Sequence, residues 1–179
     1  MCRQLAKAGL VERRVVNGRT RNFWKGRFEG GGASTPEQQP ISTEEEPWFW
    51  EGNVQGSIAQ FLIKRGYSII HIADPRRREK GKDIEAENHV GLLWVTVKGY
   101  PKGTLKTHPS TQAAIWFKDA FFDVVSWRGE RKDVTLAVGL PDFPRYRRLA
   151  EKVLWLQPTI RFSFIWVSQS GQITLEGDL

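Results

Sequence analysis

Residues 83–99 read DIEAENHVGLLWVTVKG, and the way this stretch folds decides the architecture of the chain. Residues 83–87 and 92–98 mix polar with apolar, β-branched and aromatic side chains, as half-buried strands do, and Asn88 and Gly91 between them supply turn chemistry. The two runs are read as a β-hairpin. Side chains two apart share a face, so Asp83 goes with Glu85 and Thr96 with Lys98, while Ile84, Val95 and Val97 fall to the core. Asp83 opens one strand and Lys98 closes the other, which brings a carboxylate and an ammonium to the same end of a sheet.

Outward from the hairpin, Val54, Ile58, Phe61 and Leu62 recur at i, i+4, i+7 and i+8, the stripe of a helix over 52–65 that Gly66 stops and Glu51 opens. Residues 67–73 (YSIIHIA) form a strand, and Asp74-Pro75 starts a loop whose next residues, RRREKGK, are strongly basic. After a loop over 99–109, Ser110 is the expected N-cap of a helix over 111–128. Residues 134–140 suit a central strand and 144–156 a helix closed before Pro158. Residues 161–167 then form a last long strand, with a short hairpin around Ser170-Gly171. The order α-β-β-β-α-β-α-β predicts an α/β protein, a mixed central sheet with helices on both faces and a single core.

The 179 residues are 40% hydrophobic, 26% charged and 12% aromatic, a globular composition for one domain with a small appendage. No run of 18 apolar residues occurs, so no membrane helix is expected, and Met1, Cys2, Arg3 and Gln4 lead into no signal-peptide core. Cys2 is the single cysteine, which excludes an internal disulfide framework and a Cys-built zinc site and fits a reducing compartment. The net charge of +7 makes polyanions the first partners to consider. That charge is segregated: residues 1–28 carry eight bases and one acid, 29–47 five acids and no base, and 48–179 19 bases and 14 acids. Residues 29–47, EGGGASTPEQQPISTEEEP, have too little apolar surface to offset the entropy of ordering and read as a flexible acidic linker. Its last acids, Glu44, Glu45 and Glu46, suit a helix start or a decoy for basic surfaces.

In the basic arm, residues 3–8 suit the end of a helix stopped by Gly9, and 10–16 and 19–25 flank Asn17-Gly18, a strong hairpin signal. A helix followed by LVERRVVNGRTRNFWK resembles the C-terminal part of a winged helix-turn-helix domain. That resemblance implies Arg13, Arg14, Arg19 and Arg21 as wing residues that approach DNA phosphate or the minor groove. The helices that precede this piece in that family are missing, and so short a segment buries no core unaided. The arm then belongs to a longer chain, or packs on the main domain or on a second subunit. A basic hairpin without a specific role is the alternative.

Glu51, Asp83 and Lys98 make a carboxylate pair beside a lysine. Phosphodiester hydrolysis with a divalent metal calls for that set: Mg²⁺ takes one or two carboxylates plus waters and phosphate oxygens, and the ammonium stabilises the developing anion or orients the water. Asp83-Ile84, a hairpin, then Thr96-Val97-Lys98-Gly99, with Glu51 on a preceding helix, resembles the PD-(D/E)xK nuclease superfamily, which has the restriction-endonuclease-like fold and an α-β-β-β-α-β core. The resemblance covers about residues 48–170. It implies that Asp83 binds Mg²⁺ or Mn²⁺ and that Glu51 helps position metal or water. It also implies that Lys98 contacts the nucleophile or scissile phosphate, and that Gln112 is a polar auxiliary at the start of the next helix. Thr96 departs from the pattern, which has Glu or Gln two residues before the lysine; a hydroxyl reaches a metal through a water, and one negative charge is lost. Three outcomes stay open. Glu51 or Glu85 supplies the missing carboxylate, or the site is weakened or dead, or Thr96 is a substitution introduced to silence it.

The expectation is a metal-dependent endonuclease acting on double-stranded DNA, cytoplasmic and nucleoid-associated, without a membrane partner. The resemblance implies 5′-phosphate and 3′-hydroxyl products, and a homodimer for cutting both strands. The alternatives are a nuclease-fold protein that binds nucleic acid without cutting, and an assembly module whose basic face serves an acidic partner. Arg76, Arg77, Arg78, Lys80, Lys82 and Lys102 are candidates for gripping flanking phosphates, against the plainer reading of a solvated loop. Asp83 with Lys98 has its own plain reading, a cross-strand ion pair. His71 reads as a core histidine, and His89 and His108 have no metal-ligand spacing. Trp116, Phe117, Phe121 and Phe122 read as core, or as subunit contacts where a stripe of them is exposed.

Overall fold

A computed structural model describes residues 11–16, 19–24, 46–77, 79, 81–103 and 107–179. The chain divides into two compact units, residues 1–43 and 44–179. In the first, β1 (Val11–Val16) and β2 (Arg19–Trp24) pair antiparallel, with Arg14 opposite Arg21, Arg13 opposite Asn22 and Val16 opposite Arg19. The expected helix at 3–8, the Asn17-Gly18 turn and, up to residue 45, the expected linker over 29–47 lie outside the described residues, as do Arg78 and Lys80.

The second unit begins with α1 (Glu51–Lys64). Its sheet comprises β3 (Ser68–Ile72), β4 (Ile84–Glu87), β5 (Leu92–Val97), β6 (Thr135–Pro141), β7 (Phe162–Val167) and β8 (Ile173–Glu176), side by side in chain order. Neighbours are antiparallel except for the parallel pairs β5–β6 and β6–β7. Parallel neighbours need crossovers. These are α2 (Pro109–Glu130), then α3 (Pro144–Ala150) with the short α4 (Gln157–Ile160). Both crossovers step across the sheet in one direction, and a common handedness lays them on one face, leaving the other to α1.

Alternation along the central strands sorts the core into two layers. Leu93, Val95 and Val97 join Val54, Ile58 and Leu62 of α1, with Ile84, Ala86 and Ile165. Trp94, Leu136, Val138, Leu140, Phe164 and Trp166 join the α2 stripe Ala113, Phe117, Ala120, Val124 and Trp127. Full burial of each large apolar side chain contributes about 1.5–3 kcal/mol, so the layers hold α1 and α2 firmly against the sheet. The architecture is the expected mixed sheet with helices on both faces. No helix among the described residues is long and apolar enough to cross a membrane.

Several local expectations are corrected. The N-cap of α2 is His108 and not Ser110: His108 Nδ1 accepts from Ser110 N at 3.2 Å, and Pro109 takes the first helical position, where no N–H is needed. Residues 144–156 do not form one helix. A straight helix would turn Leu154 and Leu156 to nearly opposite sides, yet both pack against the core, and the chain breaks into α3, a 3₁₀ turn over Leu154–Leu156 and α4. Pro158 sits in the first turn of α4, where its missing N–H costs nothing, instead of following a helix. His71 is no core histidine. It lies on the edge strand β3 with its ring exposed and Nε2 3.7 Å from the Glu79 carboxylate. On α2, Phe117 is buried, but Phe122 is 70% exposed, together with Ile115 and Val125.

The join between β5 and α1 is close enough to demand glycine. A Cβ on Gly99 would lie 2.7 Å from Glu51 N and 2.8 Å from Phe49 O, backbone atoms that cannot yield. Tyr100 N donates to Phe49 O at 2.9 Å, and the buried Tyr146 hydroxyl donates to Gly99 O at 2.8 Å. Gly56, mid-helix in α1, faces open space instead. In urea denaturation, Gly99→Ala is expected to lower stability by roughly 1–3 kcal/mol. Gly56→Ala is expected to raise it by about 0.5–1 kcal/mol.

Candidate functional site

Asp83 lies one residue before β4, and its main chain is held from two sides. Its carbonyl accepts from Ala73 N at 2.9 Å and from Gln55 Nε2 at 2.7 Å. Gln55, buried on α1, also donates to Ala73 O at 3.1 Å, so one amide clamps the end of β3 to the start of β4. The side chain is held as tightly. Asp83 Oδ2 accepts from Val97 N at 2.6 Å, lies 3.3 Å from Thr96 Oγ1, and has Lys98 Nζ at 3.5 Å. Asp83 and Lys98 are 16% and 20% exposed, well below a free surface pair.

Glu51 arrives from α1 because Gly99 allows the close approach. Burial pushes its carboxyl above the usual range, the nearby Lys98 opposes this, Asp83 adds to it, and a bond from the Gly99 main chain opposes it again. Glu51, Gln55, Asp83 and Lys98 line one cavity of about 230 Å³, together with Ala73, Asp74, Pro75 and Glu79.

Behind Asp83 stands a carboxylate that the sequence reading missed. Thr96 is wholly buried on the α2 side, and its hydroxyl lies 3.1 Å from Asp123 Oδ2 as well as 3.3 Å from Asp83 Oδ2. One hydroxyl proton cannot serve both acceptors. The set is complete when Thr96 donates to Asp83 and a protonated Asp123 donates to Thr96. Burial raises the Asp123 carboxyl above its ordinary range; the Thr96 bond and Lys98 oppose this, while Asp83 and Asp119 add to it. Asp123 borders the α2 apolar stripe, three residues after Ala120 and four before Trp127. That break in the stripe was the available signal. Gln55, a polar residue between Val54 and Ile58, was a similar one.

The remaining candidates are dispersed. Glu85 accepts from Trp94 Nε1 at 3.1 Å, and neither Glu85 nor Gln112, in the first turn of α2, lines the cavity. Arg76 stacks over Trp50, 5.2 Å from the ring centroid, while Arg77 Nε lies 3.1 Å from Asp74 Oδ2. Lys82 lies 3.9 Å from the Trp94 ring centroid and 3.6 Å from Glu130 Oε2, and Lys102 pairs with Glu46 at 3.7 Å. Arg13, Arg14, Arg19 and Arg21 belong to the β1–β2 unit.

No group of three or more His, Cys, Asp or Glu among the described residues makes a self-sufficient metal cage. Mg²⁺ asks for less: one or two carboxylates, with waters and substrate oxygens completing its shell. Glu51 and Asp83 line the same cavity and supply that number of carboxylates, and Asp83 Oδ1 makes no hydrogen bond among the described residues. No known protein family, curated protein or solved structure matches the chain.

The raised Asp123 carboxyl fixes the sign of a pH effect. The folded state holds this proton more tightly than the unfolded chain, so its contribution is complete below the ordinary Asp range and is lost as pH rises through the folded value. Asp123→Asn, which keeps a donor for Thr96 without a charge, is therefore expected to melt above the wild type at pH 8. The difference should shrink toward pH 4, as read by thermal denaturation across that range.

Proposed function

We propose that the chain is a divalent-metal-dependent DNA endonuclease of the PD-(D/E)xK type, acting through Glu51, Asp83 and Lys98. The observation that carries this reading is the meeting of Asp83 Oδ2 and Lys98 Nζ, 3.5 Å apart at one sheet end, in a cavity that Glu51 also lines. The element order agrees with a restriction-endonuclease-like core: α1, the antiparallel run β3-β4-β5, the α2 crossover and the parallel β6. A net charge of +7 suits a polyanionic substrate.

Mg²⁺ or Mn²⁺ held by Asp83 and Glu51 would lower the pKa of a water and offset charge on the phosphate. The protein's own groups do the rest. The Val97 N–H and the Thr96 hydroxyl fix the Asp83 carboxylate before substrate arrives, so little reorganisation is needed. Lys98 Nζ donates to a phosphate oxygen or to the attacking water. Glu51, delivered to the same cavity by the start of α1, would be the second carboxylate to hold the metal and position its water.

A second reading, a DNA-binding protein of the same fold with weakened cleavage, is favoured by Thr96, a buried neutral group where the pattern has an acid. Supercoiled plasmid separates the two. The expected result is slow, Mn²⁺-favoured nicking that EDTA stops and that Asp83→Ala and Lys98→Ala each lower by roughly 100-fold or more. Nicking that persists in Asp83→Ala contradicts the proposal. An inactive wild type that gains cleavage with Thr96→Glu plus Asp123→Asn establishes the second reading.

A further inference from the structure

A second cavity, of about 600 Å³, lies toward the other end of the sheet from Asp83. Thr135, where β6 begins, lines it, whereas Lys98 N donates to Gly139 O four residues later on the same strand, roughly 13 Å along it. The volume is that of a small-molecule site, which spans about 300–1,000 Å³. Arg128, at the end of α2, braces the walls. Its guanidinium donates to Arg131 O at 3.2 Å and Lys132 O at 2.8 Å on one side, and to Ile160 O at 2.6 Å and Arg161 O at 2.9 Å on the other. Most of its donors are thus committed, and the turn before β6 is tied to the turn before β7.

Each of the two braced turns brings a cation to the cavity, Lys132 from one and Arg161 from the other. Among the described residues neither side chain makes an ion pair or a hydrogen bond. Arg161 stands in an unfavourable place. It follows α4 with φ +55°, and among the described residues it alone, glycines aside, takes the left-handed region, where the lack of a Cβ favours glycine. Its charge also faces a like charge. Burial lowers the pKa of the Arg128 guanidinium and the neighbouring Arg161 lowers it further, with Asp133 opposing. The acids on the cavity do not balance Arg161 and Lys132. Arg131 bonds both Asp133 oxygens, at 2.9 and 2.5 Å, and holds that carboxyl down to about 2, while the exposed Asp178 pairs with neither cation. A backbone conformation that disfavours arginine and an unbalanced pair of cations on one built cavity are what a bound anion offsets.

We propose that this cavity binds a small phosphorylated molecule, its phosphate held between Arg161 and Lys132. A phosphate presents enough oxygens for a guanidinium fork on one side and an ammonium on the other. The cavity is larger than a phosphate alone, and Thr135, Gln157 and Pro158 line the room left for an attached group. The site is separate from the Asp83 cavity and does not depend on the endonuclease reading.

The test is isothermal titration calorimetry of the full chain in metal-free, low-salt buffer, with inorganic phosphate and adenosine 5′-monophosphate as probes and adenosine as the uncharged control. Both anions are expected to bind saturably at one site, and adenosine is not. Tighter binding of the nucleotide shows that the attached group is held too, and equal affinity makes the phosphate group the whole ligand; either result supports the site. Arg161→Gly is expected to weaken both anions about tenfold or more. The same variant should melt at or above the wild type, because glycine suits the left-handed backbone, so its lost binding is not lost folding. Lys132→Gln should weaken both anions about threefold to tenfold, and Arg161→Lys, which keeps the charge without the fork, should fall between wild type and Arg161→Gly. No saturable binding of either anion, binding that Arg161→Gly leaves unchanged, or adenosine binding as tight as that of its monophosphate overturns the proposal. The nicking assay with Asp83→Ala reads the other cavity and is decided separately.

Discussion

The carboxylate of Asp83 is the point on which the rest of the structure turns. Its main-chain carbonyl joins β4 to Ala73, just past the end of β3, and to Gln55 on α1, while its Oδ2 gathers the Val97 N–H, the Thr96 hydroxyl and the Lys98 ammonium. A single side chain so committed sets the register of the hairpin end and holds a charge in a place that is only 16% exposed. A charge there survives only with several strong donors around it, and removing one leaves the others unpaired. The placement of the carboxylate is therefore structural before it is chemical.

The same geometry explains the odd residues around it. Thr96 points into the α2 layer, where a buried hydroxyl must find partners, and it finds two carboxyls. Asp123, between Ala120 and Val124, meets the Thr96 hydroxyl, and burial raises its carboxyl above the ordinary range. Gly99 is required because α1 begins against the end of β5, and that contact delivers Glu51 to the cavity. Gln55, Thr96 and Gly99 thus all serve the surroundings of Asp83 or of Glu51.

Much of this was legible in the sequence because it is local. The i, i+4, i+8 stripe marks α1, the polar and apolar alternation marks β4 and β5, and strand-end positions place Asp83 beside Lys98. What was not legible depends on which surfaces meet. Asp123 acquires its role only once α2 is laid on β5, and nothing within α2 says which strand it will cover. His71 sits in an apolar run that resembles a buried strand, but β3 is an edge, so half of its pattern faces solvent. The break after Ala150 follows from Leu154 and Leu156 both seeking the core, a demand visible only with the sheet in place.

The central claim is that two carboxylates from separate elements and one lysine form a single divalent-cation site. A crystal soaked in Mn²⁺ and measured at the manganese edge tests it directly. The account predicts an anomalous peak within about 2.5 Å of an Asp83 carboxylate oxygen and on the Glu51 side of the cavity, with Lys98 Nζ still beside Asp83. A peak elsewhere, or none while the soaked crystal keeps Asp83 and Glu51 ordered, contradicts it.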